Sequence, residues 1–402
     1  MKDKRIMFGI TLAFIFLASV SFSYAYFSNT ITNKDVKNQV VETGTLQLTY
    51  TDGPEINIQN MKPGNTINKT ITVKNTGSLE AKYNIIWQEL TNEITNDEML
   101  IEGTCTSSNG TCESIESSSI SNKIIKKNIS IASGVTYTYN LTITFKDTNS
   151  SQNYNQGKKF SGVLGIKEYK KPDFATDSWA TIVANVRAGI GSDYNIGDTK
   201  EVDLGELGKH TIRVANTSTP SECFNEGFSQ TACGFVLEFV DAINKKQMNS
   251  TDTNKGGWPG SELYTYVTND LYNLFPSDLK NIIIDTIVVS GYGKNDSNNF
   301  KSTEKLYLLA TAEVWAQGSS NTIDYDTARD VTRQLDYYKK KGVTTNRYSS
   351  AIKKLGTVDV SWWLRSTFSN GDYNFYESNI IGNNGSGIAT YAYGISPAFR
   401  IG

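Results

Sequence analysis

The stretch "VSWWLRSTF" (residues 360–368) combines the pattern of a buried strand with one full charge. Successive side chains of a strand point to opposite faces, so Trp362 and Leu364 should share one face. Trp363 and Arg365 should share the other. A buried arginine needs a carboxylate partner, because removing the partner of a buried ion costs about 3–5 kcal/mol. The alternative is that Arg365 lines a ligand pocket beside an indole, where it would bind a carboxylate.

The length and composition of the chain indicate how many domains to expect and which kinds of partner its charge does not favour. The 402 residues carry a formal net charge of −2 and include 22 Tyr but only 7 Pro. Such a length predicts two or three domains. The near-neutral charge favours neither nucleic acid nor an anionic membrane surface as a partner. The Tyr-rich, Pro-poor composition is typical of β-rich exported domains.

The N-terminus has the pattern of an export signal. Basic residues in "MKDKR" precede the apolar run Ile6–Phe27, which is long enough to span a bilayer as a helix. Ser23 and Ala25 have the spacing of a signal-peptidase site. We predict a signal peptide or membrane anchor over residues 1–27, cleaved after Ala25 or retained. In both cases the rest of the chain is exported to the cell surface or beyond.

The four cysteines fall into two close pairs. Cys105 and Cys112 bracket one short polar loop, and Cys223 and Cys233 bracket another. An even number in an exported chain predicts two local disulfides, the alternative being four free thiols. The spacings are not those of zinc sites, and His210 is the only histidine. We predict no metal and no cofactor, and a structural role for His210.

The first half of the chain reads as an all-β domain. Short runs such as "GTLQLTY" (44–50), "INKTITVKNTG" (67–77) and "VTYTYNLTITFK" (135–146) alternate apolar and polar residues. Turn sequences separate them, and residues 104–123 form a polar, Ser-rich insertion. Many short strands without helical pattern predict an antiparallel sandwich over residues 28–168.

The pattern changes to mixed α and β after a linker. Residues 169–174 combine charge with a proline, and residues 175–402 form the predicted α+β domain. The helical patterns there cover 177–189 with Asp177 as N-cap, 259–275 with Ser261 as cap, and 326–342, which is a charged helix or a long loop.

Three pieces of the first domain carry a family resemblance. They are "AYFSNT" (25–30), "GTLQL" (44–48) and "IQNMKPGNTINKTITVKNTGSLEAKYNI" (58–85). In order and spacing they resemble the camelysin and TasA-type family of exported bacterial proteins. The resemblance implies a jelly-roll sandwich that forms or decorates biofilm-matrix fibres. Fibres of that family can grow by strand donation to a neighbouring sheet edge, and residues 26–42 would be the donated strand.

Some camelysin relatives are described as metallopeptidases. A zinc peptidase site made without histidine would be unusual. The first domain contains no histidine, and the chain contains no HExxH motif. We therefore predict that the chain is not a peptidase.

The second domain carries its own resemblance. Its motifs are "YNIGD" (194–198), "GGWPGSEL" (256–263), "KLYLLATAEVW" (305–315), "WWLRS" (362–366) and "GISPAFRI" (394–401). By these it resembles a bacterial family of unknown function that is often appended to exported proteins. More distantly it is similar to the C-type-lectin-like fold of formylglycine-generating enzymes. That chemistry needs a cysteine pair near the C-terminus, and no cysteine follows position 233.

The resemblance places the late Trp/Arg strands in the core. Asp198, Glu262 and Glu313 are then the available partners for Arg365. We predict structural roles for Arg400, Trp362 and Asp198. Arg365 is either a structural ion or, with Trp363, part of a ligand site.

Trp258 is the best single candidate for a binding aromatic. It follows two glycines, so a turn can present it to a sugar ring. The alternative is that Trp258 fills the edge of the core.

These features predict a non-enzymatic exported surface or biofilm-matrix protein. Its N-terminal domain would attach or self-assemble with matrix fibres, and an uncleaved N-terminal helix would contact the membrane. Its C-terminal domain would bind a glycan or a protein, and no nucleic acid is expected. The alternative is an extracellular hydrolase using Asp and Glu of the C-terminal domain, recognisable by two acidic residues that converge in a pocket. A third possibility is a purely structural matrix subunit.

Overall fold

The chain divides into two compact units, Met1–Lys171 and Pro172–Gly402. The computed structural model describes residues 30–32, 39–43, 46–52, 56–58, 62–121, 123–293 and 296–402. These are mostly β-strand, with few helices. In those ranges, no helix has both the length and the apolar character needed to cross a membrane. The predicted signal or anchor over residues 1–27, with Ser23 and Ala25, lies outside the described residues.

Where the structure describes it, the first unit contains two antiparallel sheets. Its strands are β1 (Thr30–Thr32), β2 (Gln39–Thr43), β3 (Leu46–Thr51), β4 (Ile56–Ile58), β5 (Thr66–Asn75), β6 (Ala81–Asn92), β7 (Met99–Ser107), β8 (Ile115–Ser119), β9 (Ile124–Ile131), β10 (Thr136–Phe145) and β11 (Phe160–Glu168). One sheet has the order β1-β11-β6-β9, with β4 also paired to β11. The other has the order β2-β3-β5-β10-β7-β8.

Alternation along the strands produces one core between these sheets. On β10, Tyr139 and Ile143 are buried, whereas Thr138 and Thr142, each one residue before them, are half-buried on the other face. Side chains of both sheets belong to a single apolar cluster, in which the hydroxyls of Tyr83 and Tyr139 lie 3.2 Å apart. Two sheets sharing one core is the arrangement of a β-sandwich. The jelly-roll assignment stays a prediction.

The polar stretch 104–123 is more regular than the sequence indicates. It contains the end of β7 and all of β8, so the prediction of an insertion there is wrong in part. Strand β8 is an edge strand with Ile115 buried and mostly polar side chains exposed. A strand of this kind carries little apolar signal, because only one of its residues enters the core.

Part of the predicted donor segment pairs within its own chain. In the segment 26–42, β1 pairs with β11 and the start of β2 pairs with β3. Both strands lie at sheet edges.

The described residues of the second unit form four sheets and several short helices. Its strands are β12 (Thr199–Asp203), β13 (Lys209–Asn216), β14 (Val236–Phe239), β15 (Asn244–Lys246), β16 (Thr286–Gly293), β17 (Asp296–Glu304), β18 (Tyr307–Leu308), β19 (Lys353–Leu355), β20 (Val358–Val360), β21 (Trp362–Thr367), β22 (Asn374–Ser378), β23 (Asn384–Ile388), β24 (Tyr393–Ile395) and β25 (Pro397–Arg400). Its α-helices are α1 (Trp179–Arg187), α2 (Glu262–Thr265), α3 (Ser277–Lys280), α4 (Thr311–Val314) and α5 (Asp336–Lys340).

Two five-stranded sheets organise this unit. Their orders are β12-β13-β14-β25-β18 and β15-β24-β21-β22-β23, and β16-β17 and β19-β20 form two-stranded sheets. The alternation predicted for β21 is visible in the core, since Trp363 joins one apolar cluster while Trp362 and Leu364 join another. Phe174, in the predicted linker 169–174, is buried in the first of these clusters.

The helices differ from their predicted bounds in three places. Helix α1 is capped by Ser178, whose side chain accepts from the backbone N–H of Thr181, and not by Asp177. Ser261 caps α2 as predicted, but a π-helix over Tyr266–Leu271 continues it. In 326–342 only α5 is α-helical, preceded by a 3-10 turn at Arg329–Val331.

Candidate functional site

Arg365 on β21 is completely buried and fully paired. Its Nη1 lies 2.6 Å from Glu313 Oε2, and its Nη2 lies 2.5 Å from Glu313 Oε1. Nη1 also donates to the Leu308 carbonyl at 2.8 Å, and Nε to the Val289 carbonyl at 3.3 Å. Nη2 donates to the Thr231 hydroxyl at 3.2 Å. Each guanidinium nitrogen therefore has an acceptor within the core, which is what a structural ion requires.

The Glu313 carboxylate also accepts hydrogen bonds from groups other than Arg365. It lies on the short helix α4 and accepts from the Ala310 backbone N–H at 2.9 Å and the Thr332 hydroxyl at 2.8 Å. Burial opposes ionisation of this carboxyl, but the charge of Arg365 and the surrounding donors outweigh it and hold its pKa below the usual range. Of the three carboxylates that the sequence offers to Arg365, Glu313 is the one that meets it.

The two tryptophans that are candidates for ligand binding have no accessible surface. Trp258 is 0% exposed, donates from Nε1 to Glu304 at 2.9 Å, and packs edge-on against Tyr264. Trp363 is also 0% exposed and donates to the Lys246 carbonyl at 2.9 Å. A ring without an accessible face cannot stack on a sugar in this conformation. The described arrangement therefore does not support ligand contact by Trp258, Trp363 or the equally buried Arg365.

The remaining structural candidates occupy separate positions. Buried Trp362 donates to the Ala351 carbonyl at 2.9 Å. Half-buried Arg400 donates to the Cys233 carbonyl at 2.7 Å. Asp198 is partly exposed and accepts from the Asn195 backbone N–H at 2.9 Å, so it closes a turn and does not meet Arg365.

Both predicted disulfides are confirmed. Cys105 is bonded to Cys112, and Cys223 is bonded to Cys233. His210, predicted to be structural, has its Nε2 3.0 Å from the Leu207 carbonyl oxygen.

A second buried charge network, which the sequence pattern does not predict, surrounds Glu238. Glu238 on β14 is contacted by Arg213 Nε at 2.9 Å, by Lys353 Nζ at 3.1 Å and by the Tyr338 hydroxyl at 3.0 Å. Burial lowers the pKa of Lys353 to about 8, although Glu238 opposes that shift. The available signal was a single Glu within the apolar run "GFVLEFV", a position that demands buried partners.

Carboxylates with raised pKa values occur in the second unit, as the hydrolase alternative would need. Burial raises the pKa of Glu304 and Asp326, and raises that of Glu377 to about 7. All three are at most 6% exposed. In this conformation they face the core and do not reach a polymer at the surface.

Two exposed aromatic residues of the second unit lie on separate turns. Tyr325 is 43% exposed and Tyr373 is 47% exposed. The ring of Tyr325 lies 4.9 Å from that of half-buried Phe368, which in turn lies 5.3 Å from buried Tyr376. We call Tyr325, the neighbouring Phe368 and Tyr373, which lies on the same loop as Phe368, the aromatic surface.

A buried asparagine fixes the loop that carries this surface. The Asn254 side-chain amide donates to the carbonyls of Phe368 at 3.3 Å, Gly371 at 2.8 Å and Asn374 at 3.0 Å. The Ser369 backbone N–H donates to the Tyr325 carbonyl at 2.9 Å. Loop 368–374 is thereby tied to the core and to Tyr325.

Comparison with known families agrees with both resemblances. Residues 2–88 match the family described as "Camelysin metallo-endopeptidase", and residues 235–402 match the family described as "Domain of unknown function (DUF6273)". Each match covers less than half of the chain. No curated protein matches the chain. The C-type-lectin-like resemblance stays a prediction.

Among solved structures, the Salmonella enterica trimeric lipoprotein SadB is similar to part of the chain. The identity is 12%, and the alignment covers 42% of this chain and 75% of that chain with a TM-score of 0.19. A similarity of this size carries no structural argument.

The name of the camelysin family raises the question of a metal. In the described part of the matched segment, Asp52 forms an ion pair with Lys69 at 2.9 Å, and Glu80 is exposed. Throughout the described ranges no three His, Cys, Asp or Glu side chains come together as metal ligands. These residues do not fit a metal-dependent peptidase centre.

Proposed function

We propose that the chain is a non-enzymatic, exported surface or biofilm-matrix protein. The first unit serves attachment or fibre assembly, and the second unit presents a face for an extracellular glycan or protein. The match of residues 2–88 to the camelysin family supports export and a surface location. The sequence pattern of residues 1–27, which precedes the described part, supports the same location.

The observation that carries the binding role is the aromatic surface. Tyr325 and Tyr373 are exposed, and loop 368–374, which carries Tyr373, is tied to Asn254 and to the Tyr325 carbonyl. Tyrosine combines a flat apolar face with a hydroxyl, so it can stack on a sugar and donate a hydrogen bond. A surface that is already ordered loses little entropy on binding.

A polymer array tests the binding role directly. The whole chain is applied to extracellular glycans and matrix polymers, beside a variant with Tyr325→Ala and Tyr373→Ala. Phe224→Ala is the matched control, because Phe224 is 80% exposed on the disulfide-closed segment of the same unit. We expect the tyrosine variant to lose binding at least tenfold and the control to retain it. Equal binding by all three proteins would contradict the assignment.

The assembly role rests on the edge strands. Strands β1 and β2 come from the N-terminal segment, and each pairs with one neighbour at a sheet edge. Short edge strands exchange between copies more easily than central strands. Sedimentation of the chain with and without residues 26–42 tests this role. A monomer at every concentration in both cases would contradict it.

A further inference from the structure

A cavity of about 800 Å³ lies at one end of the first unit. Phe145 at the end of β10, Met99 at the start of β7 and Phe160 at the start of β11 lie in its wall. Because β7 and β10 belong to one sheet and β11 to the other, the cavity lies where strand ends of both sheets meet. Its size is in the range of small-molecule sites, roughly 300–1,000 Å³.

The lining of this cavity is cationic. Lys62, Lys158 and Lys159 contribute to it, and none of its described lining residues is Asp or Glu. Exposed Asn153 and Gln156 add amide groups that both donate and accept hydrogen bonds. Phe145 and Phe160 in the lining are buried, whereas its polar residues Lys62, Asn153, Gln156 and Lys159 are exposed.

A buried carboxylate holds one wall in place. Glu98 is 3% exposed and accepts from Gln152 Nε2 and Asn155 Nδ2, each at 2.7 Å, and from the Tyr154 hydroxyl. Its charge is therefore directed at these donors within the wall. The turn over Asn153–Asn155 that borders the cavity is fixed by this network.

The same wall positions a lysine. Lys158 Nζ donates to Asn155 Oδ1 at 3.2 Å and to the Thr95 hydroxyl at 3.1 Å. An ammonium held in place by neutral acceptors keeps its full charge for a third partner. The cavity thus presents one ordered cation, and two further lysines belong to its lining.

We propose that this cavity binds a hydroxyl-rich oxyanion, either a uronate or a phosphate ester of a small polyol. The lysines pair with the carboxylate or phosphate oxygens. The amides of Asn153 and Gln156 hydrogen-bond the hydroxyls. This site lies in the unit assigned to attachment and does not depend on the aromatic surface of the second unit.

Calorimetric titration of the whole chain tests the ligand class. The probes are D-glucuronate and glycerol 3-phosphate, with glucose and glycerol as their neutral counterparts. We expect at least one anion to bind tenfold or more tightly than its neutral counterpart, and the stronger of the two identifies the source of the oxyanion. Inorganic phosphate is the third control. If it binds as tightly as the organic anions, the hydroxyl-rich assignment is wrong.

Substitutions test the position of the site. Lys158→Gln with Lys159→Gln should weaken binding at least tenfold, whereas Lys158→Arg should retain it. Lys74→Gln is the matched control, because Lys74 pairs with Thr136 at the end of the sheet opposite Phe145, about 30 Å away. Thermal melts show whether each variant is folded. If the double variant does not fold, Lys62→Gln replaces it, because Lys62 is exposed. Binding of neither anion, or equal binding by wild type and the glutamine variants, would overturn the proposal.

Discussion

Arg365 and Glu313 meet fork to fork in the core of the second unit, with two nitrogen–oxygen distances of 2.6 and 2.5 Å and no accessible surface on either side chain. The pair joins strand β21 to helix α4. Two parallel charge-assisted hydrogen bonds fix both separation and orientation. In this geometry the arginine bridges two elements of the fold.

Breaking this ion pair from either side should destabilise the second unit strongly. Arg365→Met leaves the buried Glu313 carboxylate without its cation. Glu313→Gln leaves the buried Arg365 guanidinium without its anion. Each single change should lower the free energy of unfolding by about 3–5 kcal/mol. The double variant should lose less stability than the two single variants together, because neither charge is then buried without a partner. Denaturant unfolding of the four proteins measures the difference.

An exposed ion pair in the same unit is the control for that cycle. Arg329 and Asp324 are in contact, but their side chains are 31% and 54% exposed. Arg329→Gln should therefore change stability by less than about 1 kcal/mol. Similar losses at Arg329 and Arg365 would contradict the structural role assigned to the buried pair.

Strands and helix caps can be predicted from the sequence because their patterns are local. Contacts between distant residues cannot be predicted in this way. The runs at 67–77 and 135–146 are strands, because alternation of apolar residues is local and each inner residue enters the core. Ser261 is a cap for the same local reason. By contrast, the ion-pair partners of Glu238 are Arg213 and Lys353. These residues are distant in the sequence and meet only in the folded chain.

The candidate site shows the same limit. The need of Arg365 for a carboxylate followed from its position in an apolar strand, but three carboxylates qualified until the fold placed Glu313. For Trp258, the two preceding glycines are compatible both with an exposed ring and with a ring at the edge of the core. In the structure the ring lies inward, where its N–H meets buried Glu304. Burial of a side chain depends on what covers the turn, and a single stretch of sequence does not contain that information.

Trp258→Phe should separate a structural from a binding role. The variant keeps an aromatic ring but removes the N–H that donates to Glu304 Oε2 at 2.9 Å. Leaving that buried acceptor short of a donor should cost about 1–3 kcal/mol. We expect a lower thermal midpoint and unchanged binding on the polymer array. Wild-type stability combined with lost binding would show that the indole contacts a ligand.

Glu377 should make stability depend on pH. It is 6% exposed, and its Oε2 has no hydrogen-bond partner among the described residues. Burial raises its pKa from 4.5 to about 7, so the folded state holds a proton that the unfolded state releases above pH 4.5. Its stabilising contribution is complete below pH 4.5 and is lost as pH rises through 7. The loss should be about 3 kcal/mol.

Glu377→Gln isolates this effect from the other buried carboxylates. The amide does not titrate, so the variant should be more stable than wild type at pH 8 and similar to it at pH 4.5. Denaturant unfolding at several pH values gives the difference between the two proteins. A difference that stays constant between pH 4.5 and 8 would contradict the raised pKa.

Gly382 is required by both its backbone angle and its surroundings. Its φ is +84°, and a Cβ at this position would collide with the carbonyl oxygen of Tyr348. Its own carbonyl accepts from Trp315 Nε1 at 3.1 Å, so the loop cannot move away without breaking a buried hydrogen bond. Gly356 is the matched control. Its φ of +64° is also in the left-handed region, but no atom lies within 4 Å of the place that a Cβ would take. Gly356→Ala should cost about 1–2 kcal/mol from the left-handed conformation. Gly382→Ala should cost clearly more, and equal thermal midpoints for the two variants would show that the Tyr348 contact is relieved at no cost.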